Sequence, residues 1–600
     1  MISVYFDPLD KNYKSVTGAA EEGERIIFRI AVSGAGNCAL FVCKDGEEPT
    51  EYKAERQDDL FRFSVNLKSG LYFYFFTVDG VFVGRGKRGA AEINSTERYQ
   101  LTVYKKTESP SRFYGGIMYQ IFPDRFFRAE GYGNADGKRL KEKWGDTPDY
   151  LPDSFGKIRN DDFFGGNFEG IREKAEYLAR LGVTAIYLNP VFKARSNHRY
   201  DTGDYFKFDP LLGTEEDFKR LIHTMHTRGI AVVLDGVFNH TGDDSVYFNK
   251  YGNYPSVGAY QSQKSEFYPW YDFSEYPEKY ASWWGIETLP SVKKDCAAFQ
   301  RFIAGDGGVL DKYFSLGIDG IRLDVADELS DGFLDIINER VKKYGVEKII
   351  IGEVWEDATN KIAYGKRRRY FQGGELDSVM NYPLKDAIIS FVLNGDADAL
   401  AETVKEQIDH YPRFALANLM NVLGTHDTAR ILTVLGKNGK TETERSEKAA
   451  AEMSEDERKI GVKRLFVAAL LQFTLYGFPC IYYGDEIGTE GNKDPFNRKC
   501  FAWGKERGEV FSFYGFLCDF RRKTDVFKDG ETTDIRGEDG VFSFSRTNGR
   551  ESVKVVANCG YGKKTITTDR ALKEISRGIK TDKITLNTYD FCIFYDGEKT

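Results

Sequence analysis

The apolar pattern is densest for a buried strand between Gly317 and Leu329, where the chain reads GIDGIRLDVADEL. Ile318, Ile321, Leu323 and Val325 predict a strand covered on both faces, and the glycine ahead of them suits the end of a helix. Side chains two apart on a strand share a face, so Arg322 and Asp324 point the same way. A guanidinium beside a buried carboxylate holds it ionised, which is what a carboxylate nucleophile needs. An isolated R-x-D is more often a structural ion pair, so its meaning depends on the rest of the chain.

Residues 1–112 alternate in the β manner. Short runs at 26–30, 38–43, 60–65, 71–78 and 99–104, separated by Gly, Asp and Lys clusters, predict a β-sandwich. After Pro110 strands alternate with helical periods. Predicted strands lie at 118–122, 185–188, 231–234, 320–324, 348–352, 378–380, 420–423 and 480–483. Between them run helices such as 169–181 and the one bearing Phe218, Leu221, Ile222 and Met225 at i, i+3, i+4 and i+7. Eight such strands predict an α/β fold, a (β/α)8 TIM barrel over 113–506. That span exceeds the typical ~250 residues, so it carries insertions, chiefly at about 240–294, with a charged stretch at 437–458. Residues 507–600 give one more helix and then strands with turns such as Asn548-Gly549, read as a second β-sandwich.

At 600 residues the chain is too long for one core. A formal charge of −8 argues against a nucleic-acid surface. The basic run Lys366–Arg369 is expected on a solvated face. No apolar run reaches the ~18 residues of a membrane span. The start MISVYFDPLD shows no secretory pattern, so a cytoplasmic location is expected. The eight cysteines include no C-x-x-C pair, which points to reduced thiols rather than zinc or a disulfide framework. The aromatic share of 15% suits surfaces that stack flat ligands.

Active sites of such barrels lie at the C-terminal ends of the strands. There the chain carries Asp235-Gly236-Val237-Phe238-Asn239-His240, Arg322-Leu323-Asp324, Gly352-Glu353-Val354-Trp355 and Gly424-Thr425-His426-Asp427. Asp324 and Glu353 stand on adjacent strands, as a carboxylate pair flanking a glycosidic bond requires. Like-charge repulsion is expected to keep Glu353 protonated while Arg322 holds Asp324 charged. His240 and His426 are placed to donate to sugar hydroxyls.

The segments DGVFNH, GIRLDVADE, GEVW and LGTHD resemble the four signature regions of the α-amylase family of glycoside hydrolases. MYQIFPDRF, SNHRYDTGDY and MNYPLKD extend the likeness toward the neopullulanase, cyclomaltodextrinase and maltogenic amylase branch. The resemblance implies a retaining hydrolase of α-glucans (maltooligosaccharides, cyclodextrins, pullulan or starch). Asp324 would be the nucleophile, Glu353 the acid/base and Asp427 the third carboxylate. Arg322, His240, His426, Asp235, His198 and Tyr200 would shape the subsite for the sugar at the cleaved bond, with Tyr200 as a stacking platform. Trp355 is a candidate substrate contact, and Trp270, Trp283 and Trp284 are candidate platforms beyond the cleaved bond. Other readings are a glucanotransferase, an α-1,6-specific debranching enzyme or, remotely, a non-catalytic binding protein. Two departures from the branch's usual pattern, Glu356 after the region-three Trp and Leu289-Pro290-Ser291-Val292-Lys293 in region five, bear on linkage preference. No cofactor is implied for the chemistry. A structural calcium in the first βα loop would draw on Asn134, Asp136, Gly165 and Asn167. The N-terminal sandwich is expected either to bind glucan or to pair two copies into a homodimer.

Overall fold

The computed structural model describes residues 2–34, 36–135, 137–154, 156, 158–440, 444–450 and 452–597. The chain divides into two compact units, one of Pro110–Val354 with Met420–Asp529, the other of Met1–Ser109, Trp355–Leu419 and Gly530–Thr600.

In the first unit seven strands run parallel and side by side. Their order is Ile349–Gly352, Gly320–Leu323, Ala231–Gly236, Ala185–Leu188, Met118–Ile121, Phe478–Tyr482 and Met420–Val422. Every residue in them is buried, as expected of parallel strands covered on both faces. The eighth strand of the repeat, Ser378–Val379, is carried by the Trp355–Leu419 segment. The fold is the (β/α)8 barrel that the periodicity predicts.

The helix Glu215–His226 begins at a capping box between Thr214 and Asp217 and buries the predicted stripe of Phe218, Leu221, Ile222 and Met225. The helix predicted over 169–181 is instead two, Phe168–Glu173 and Ala175–Arg180. Between them Lys174 leaves helical geometry (φ −91°, ψ 7°), with its ammonium 3.8 Å over Phe127 and 4.2 Å over Trp503. Of the charged stretch 437–458, residues 441–443 and 451 lie outside the described residues. From Ser454, which caps it, a 20-residue helix runs from Glu455 to Thr474. Helix Glu509–Lys523 packs on it through Phe513 against Phe466 (4.3 Å) and Tyr514 against Phe473 (5.9 Å). The compact unit runs on through this helix to Asp529.

Just before strand Gly320–Leu323, Asp319 accepts from His226 Nε2 (2.7 Å), the Val232 amide (2.9 Å) and Arg112 Nη1 (2.6 Å), with Lys348 at 3.3 Å. Burial works to raise its carboxyl, but the hydrogen bond from His226 and the other partners win and hold it at about 2. An unfolded Asp titrates at ~3.9, so the native state gains about 2–3 kcal/mol above that pH and loses it as pH falls toward 2. Asp319→Asn should therefore flatten the acid limb of the stability curve between pH ~4 and ~2, measured by denaturant melts across that range.

In the second unit, strands Arg25–Ser33 and Leu60–Asn66 pair, flanked by Ser3–Tyr5 and Glu55–Gln57. They face a sheet built on Gly70–Val78, Tyr99–Tyr104 and Cys38–Lys44, and the core between holds Phe28, Phe63, Tyr74, Phe76 and Tyr99. Six antiparallel strands between Glu531 and Asp596 make the C-terminal sheet, with Val556, Leu586, Cys592 and Phe594 at its core. The basic run at 366–369 is only partly solvated. Arg367 pairs with Asp45 at 2.8 Å, and Arg368 is buried. No helix among the described residues is long and apolar enough to cross a membrane. All eight cysteines are free thiols, seven of them buried.

Candidate active site

Strand register sets the central pair. Leu323 is the partner of Gly352 in the parallel ladder, so the next residues, Asp324 and Glu353, stand side by side one step beyond it. The ladder continues through the Asp324 amide to Gly236 O (3.1 Å) and the Glu353 amide to Leu323 O (3.1 Å). Asp235, opposite Arg322 in the neighbouring pair of strands, completes the level.

Arg322 is fully buried and joins all three carboxylates. Its Nη1 donates to Asp235 Oδ1 and Asp324 Oδ1, each at 2.8 Å. Its Nη2 lies 2.8 Å from Glu353 Oε2. The chain then turns sharply, because Val325 adopts a left-handed conformation (φ 39°, ψ 59°) that a β-branched residue rarely takes. That turn aims the Val325 amide at Glu353 Oε2, 2.8 Å away.

One positive charge cannot balance three buried carboxylates. Burial pushes the Asp324 carboxyl well up; Arg322 opposes this, and Glu353 and Asp235 add to it. The expectation that Arg322 holds Asp324 charged is thus revised, since burial outweighs a guanidinium that is shared with Glu353 and Asp235. Asp427 sits a third exposed at the cleft, and its recessed position together with Glu353 pushes it up to about 7. His426 Nε2 is 3.1 Å from Asp427 Oδ2, and Arg498 Nη2 is 3.7 Å from Asp427 Oδ1.

The histidines are held neutral. Burial pushes His240 down to about 3 and His426 well below its usual value. Gln120 Nε2 lies 2.9 Å from His426 Nδ1, which assigns the proton to Nε2, 2.5 Å from the Tyr200 hydroxyl. Tyr200 in turn donates to Asp235 Oδ2 (2.7 Å) and accepts from Asn189 (3.0 Å). Its ring lies against His426 (5.2 Å, 7° between planes), so one of its faces is already covered. His198 Nδ1 accepts from the Tyr200 amide at 3.1 Å, leaving Nε2 as its donor. His240 packs 5.6 Å from Trp283, whose buried Nε1 has no hydrogen-bond partner. Trp284 stacks on Trp283 (5.4 Å) yet is 81% exposed and left-handed (φ 50°).

The structure thus brings Asp235, His240, Arg322, Asp324, Glu353, His426, Asp427, Tyr200 and His198 to one rim. Trp270 is core, packed among Tyr247, Phe299 and Phe302. Trp355 belongs to the other unit, where it stacks on Tyr382 at 3.8 Å. Sequence reasoning missed Gln120, Tyr187, Asn189 and Arg498. The first two had a readable signal: polar residues inside strands otherwise apolar on both faces.

Of the residues expected to hold calcium, Asn167 is already engaged. Asn167 Oδ1 caps helix Phe168–Glu173 at the Gly170 amide (2.8 Å), and Nδ2 donates to Ala129 O (3.0 Å). The Gly165 amide donates to Asp124 Oδ1 (3.0 Å), a carboxylate already paired with Arg125 (2.6 Å). The Asn134 amide is bonded to Pro210 O (2.8 Å), and Asp136 lies outside the described residues. Among the described residues no His, Cys, Asp and Glu cluster could hold a metal. As a cap, Asn167→Ala should cost about 0.5–2 kcal/mol, by the same amount in calcium and in chelator, read by thermal melts.

Residues 120–582 match the family described as alpha amylase, catalytic domain. The chain belongs to the α-amylase family. Within this family it is 32% identical to an amylopullulanase of Thermoanaerobacter thermohydrosulfuricus over 92% of this chain and 41% of that protein. It is 34% identical to a cyclomaltodextrinase of Geobacillus thermopakistaniensis (strain MAS1) over 74% of this chain and 68% of that one. A solved relative, the cyclic alpha-maltosyl-(1→6)-maltose hydrolase of Arthrobacter globiformis in its ligand-free form, superposes with a TM-score of 0.67 at 27% identity. That match covers 81% of this chain and 99% of that one. This α-amylase family chain spans less than half the length of the amylopullulanases it matches.

Proposed function

We propose that the chain is a retaining α-glucan hydrolase cleaving α-1,4 and α-1,6 glucosidic bonds in cyclodextrins, pullulan fragments, maltooligosaccharides or starch. The carrying observation is the Asp324–Glu353 pair, side by side on adjacent strands and held by one guanidinium, as carboxylates flanking a glycosidic bond are. Asp324 attacks the anomeric carbon and forms a glycosyl ester, while Glu353 gives its proton to the leaving oxygen. Glu353 then takes a proton from water as water displaces Asp324. Asp427 and the neutral His426 and His240 hold hydroxyls of the flattened sugar. With Asp324 and Asp427 both raised, the free site must lose protons before the nucleophile is charged. The acid limb of kcat/KM therefore belongs to this cluster as a whole.

Trp283 and Trp284 suit the acceptor side, where a pyranose offers an apolar face to an indole. Trp284→Ala should raise KM for pullulan about 3–10-fold with little change in kcat, in initial-rate assays, as loss of ~0.5–1.5 kcal/mol of stacking implies. The same platform would bind an acceptor sugar and favour transfer over hydrolysis. The free thiols support a reducing, cytoplasmic setting. Pairing through the N-terminal sandwich completes the reading; a monomer at micromolar concentration in light scattering would remove it.

The test is product formation from a cyclodextrin, pullulan and soluble starch side by side, with Glu353→Gln as the blank. Turnover of any of them above the blank is expected, with cyclodextrin ahead of starch. A wild type matching the blank on all three would end the hydrolase reading.

A further inference from the structure

A second cavity, of about 830 Å³, lies among the loops that follow strands Met118–Ile121 and Phe478–Tyr482. Phe127, Trp144 and Trp503 line it with half-buried rings. Both indole N–H groups are tied inward, Trp144 to Phe501 O (3.0 Å) and Trp503 to Phe126 O (2.7 Å). The rings are therefore fixed and turn only carbon toward the cavity. Trp503 is backed by Phe501 (4.2 Å) and capped by the Lys174 ammonium (4.2 Å). Around the mouth stand Arg128 and Lys499 together with Glu130. Glu490, paired with Arg458, adds a further carboxylate to the wall.

The size falls within the ~300–1,000 Å³ of small-molecule sites. The rings decide the ligand class. Arg128, Arg458, Lys499 and Lys505 stand around the cavity with Glu130 and Glu490, so its polar groups include donors and acceptors of both signs. A neutral sugar offers donors and acceptors to both signs and an apolar ring face to the indoles. The cavity is also linked to catalysis along the chain, because Arg498 reaches Asp427 at 3.7 Å while the next residue, Lys499, lines the cavity.

We propose that this cavity is a second α-glucan-binding site, separate from the catalytic cleft, that takes a short maltooligosaccharide segment of a longer chain. The choice of sugar rests on the α-glucan reading above. Binding is measured by calorimetry with maltotriose on the Glu353→Gln protein, which holds substrate without cleaving it. Two sites are expected. Glu353→Gln with Trp144→Ala should keep one, and Lys499→Ala should weaken the second site about 3–10-fold without moving the first. In otherwise wild-type protein, Lys499→Ala should raise KM for soluble starch and leave maltotriose cleavage unchanged. A single site in Glu353→Gln that survives both changes would overturn the proposal. No binding at all would instead count against the α-glucan reading and remove this site with it. Should Trp144→Ala fail to fold, Lys499→Ala and Glu130→Gln decide the matter, since both sit at the mouth.

Discussion

Asp324→Asn should lower kcat on any α-glucan by about 10⁴–10⁶, with the fold unchanged by circular dichroism. An amide cannot form the glycosyl ester, and what remains is binding and transition-state polarisation by the other groups. Glu353→Gln should fall as far on natural glucans but much less on a maltosyl fluoride or nitrophenyl glycoside. Those leaving groups depart as weak bases and need no proton. The split between the two variants on the two substrate classes assigns the roles. Equal losses on both classes for Glu353→Gln would argue that the carboxylate does something other than protonate the leaving oxygen. The comparison has force here because both carboxylates touch the same Arg322, so each variant perturbs the same ion network.

Arg322→Met removes the guanidinium that touches Asp235, Asp324 and Glu353. Leaving buried carboxylates without their partner costs about 3–5 kcal/mol for one pair, and here three lose it together. The variant's loss should depend on pH in a set direction. Without Arg322 the folded-state carboxyls of Asp235 and Asp324 rise further above their unfolded value of ~3.9. Their penalty is then absent at pH below ~4 and grows as pH rises through that range and above. Denaturant melts should therefore show the variant nearest to wild type in acid and furthest from it at neutral pH. A constant offset at all pH values would mean that packing around Tyr187 and Tyr200, not charge, is what Arg322 supplies.

Much of this was legible in the residues. The strand-end segments fell where the barrel needs them, because parallel strands buried on both faces leave short, continuous apolar runs that stand out from amphipathic helices. The polar residues that matter come directly after those runs. What stayed hidden depends on three-dimensional contact. The sequence argument gave Arg322 to Asp324 because they are two apart, and neighbour spacing says nothing about Glu353 on the next strand meeting the same guanidinium. Trp270 and Trp283 look alike in a loop rich in aromatics. One is enclosed by Tyr247, Phe299 and Phe302, and the other lies against His240 with its N–H unpaired. Asn167 resembled an oxygen ligand, and its amide is used up by a helix end. Spacing along the chain likewise does not show that Phe513 and Tyr514, beyond 506, pack on the long helix before them.

The side-by-side placement of Asp324 and Glu353, one step past the Leu323–Gly352 partners, has a bearing on how such a protein can change over time. Insertions between strands, such as the stretch from 240 to 294, leave the ladder untouched, so loops can be exchanged and lengthened while the reaction persists. A single residue gained or lost within Ile349–Gly352 would turn Glu353 to the opposite side of its strand and away from Asp324. Substrate range is thus free to drift by length variation outside the strands, whereas inside them only residue-for-residue replacement is survivable. Libraries meant to alter specificity should place their length changes after His240 and keep Gly320–Asp324 and Ile349–Glu353 at fixed length.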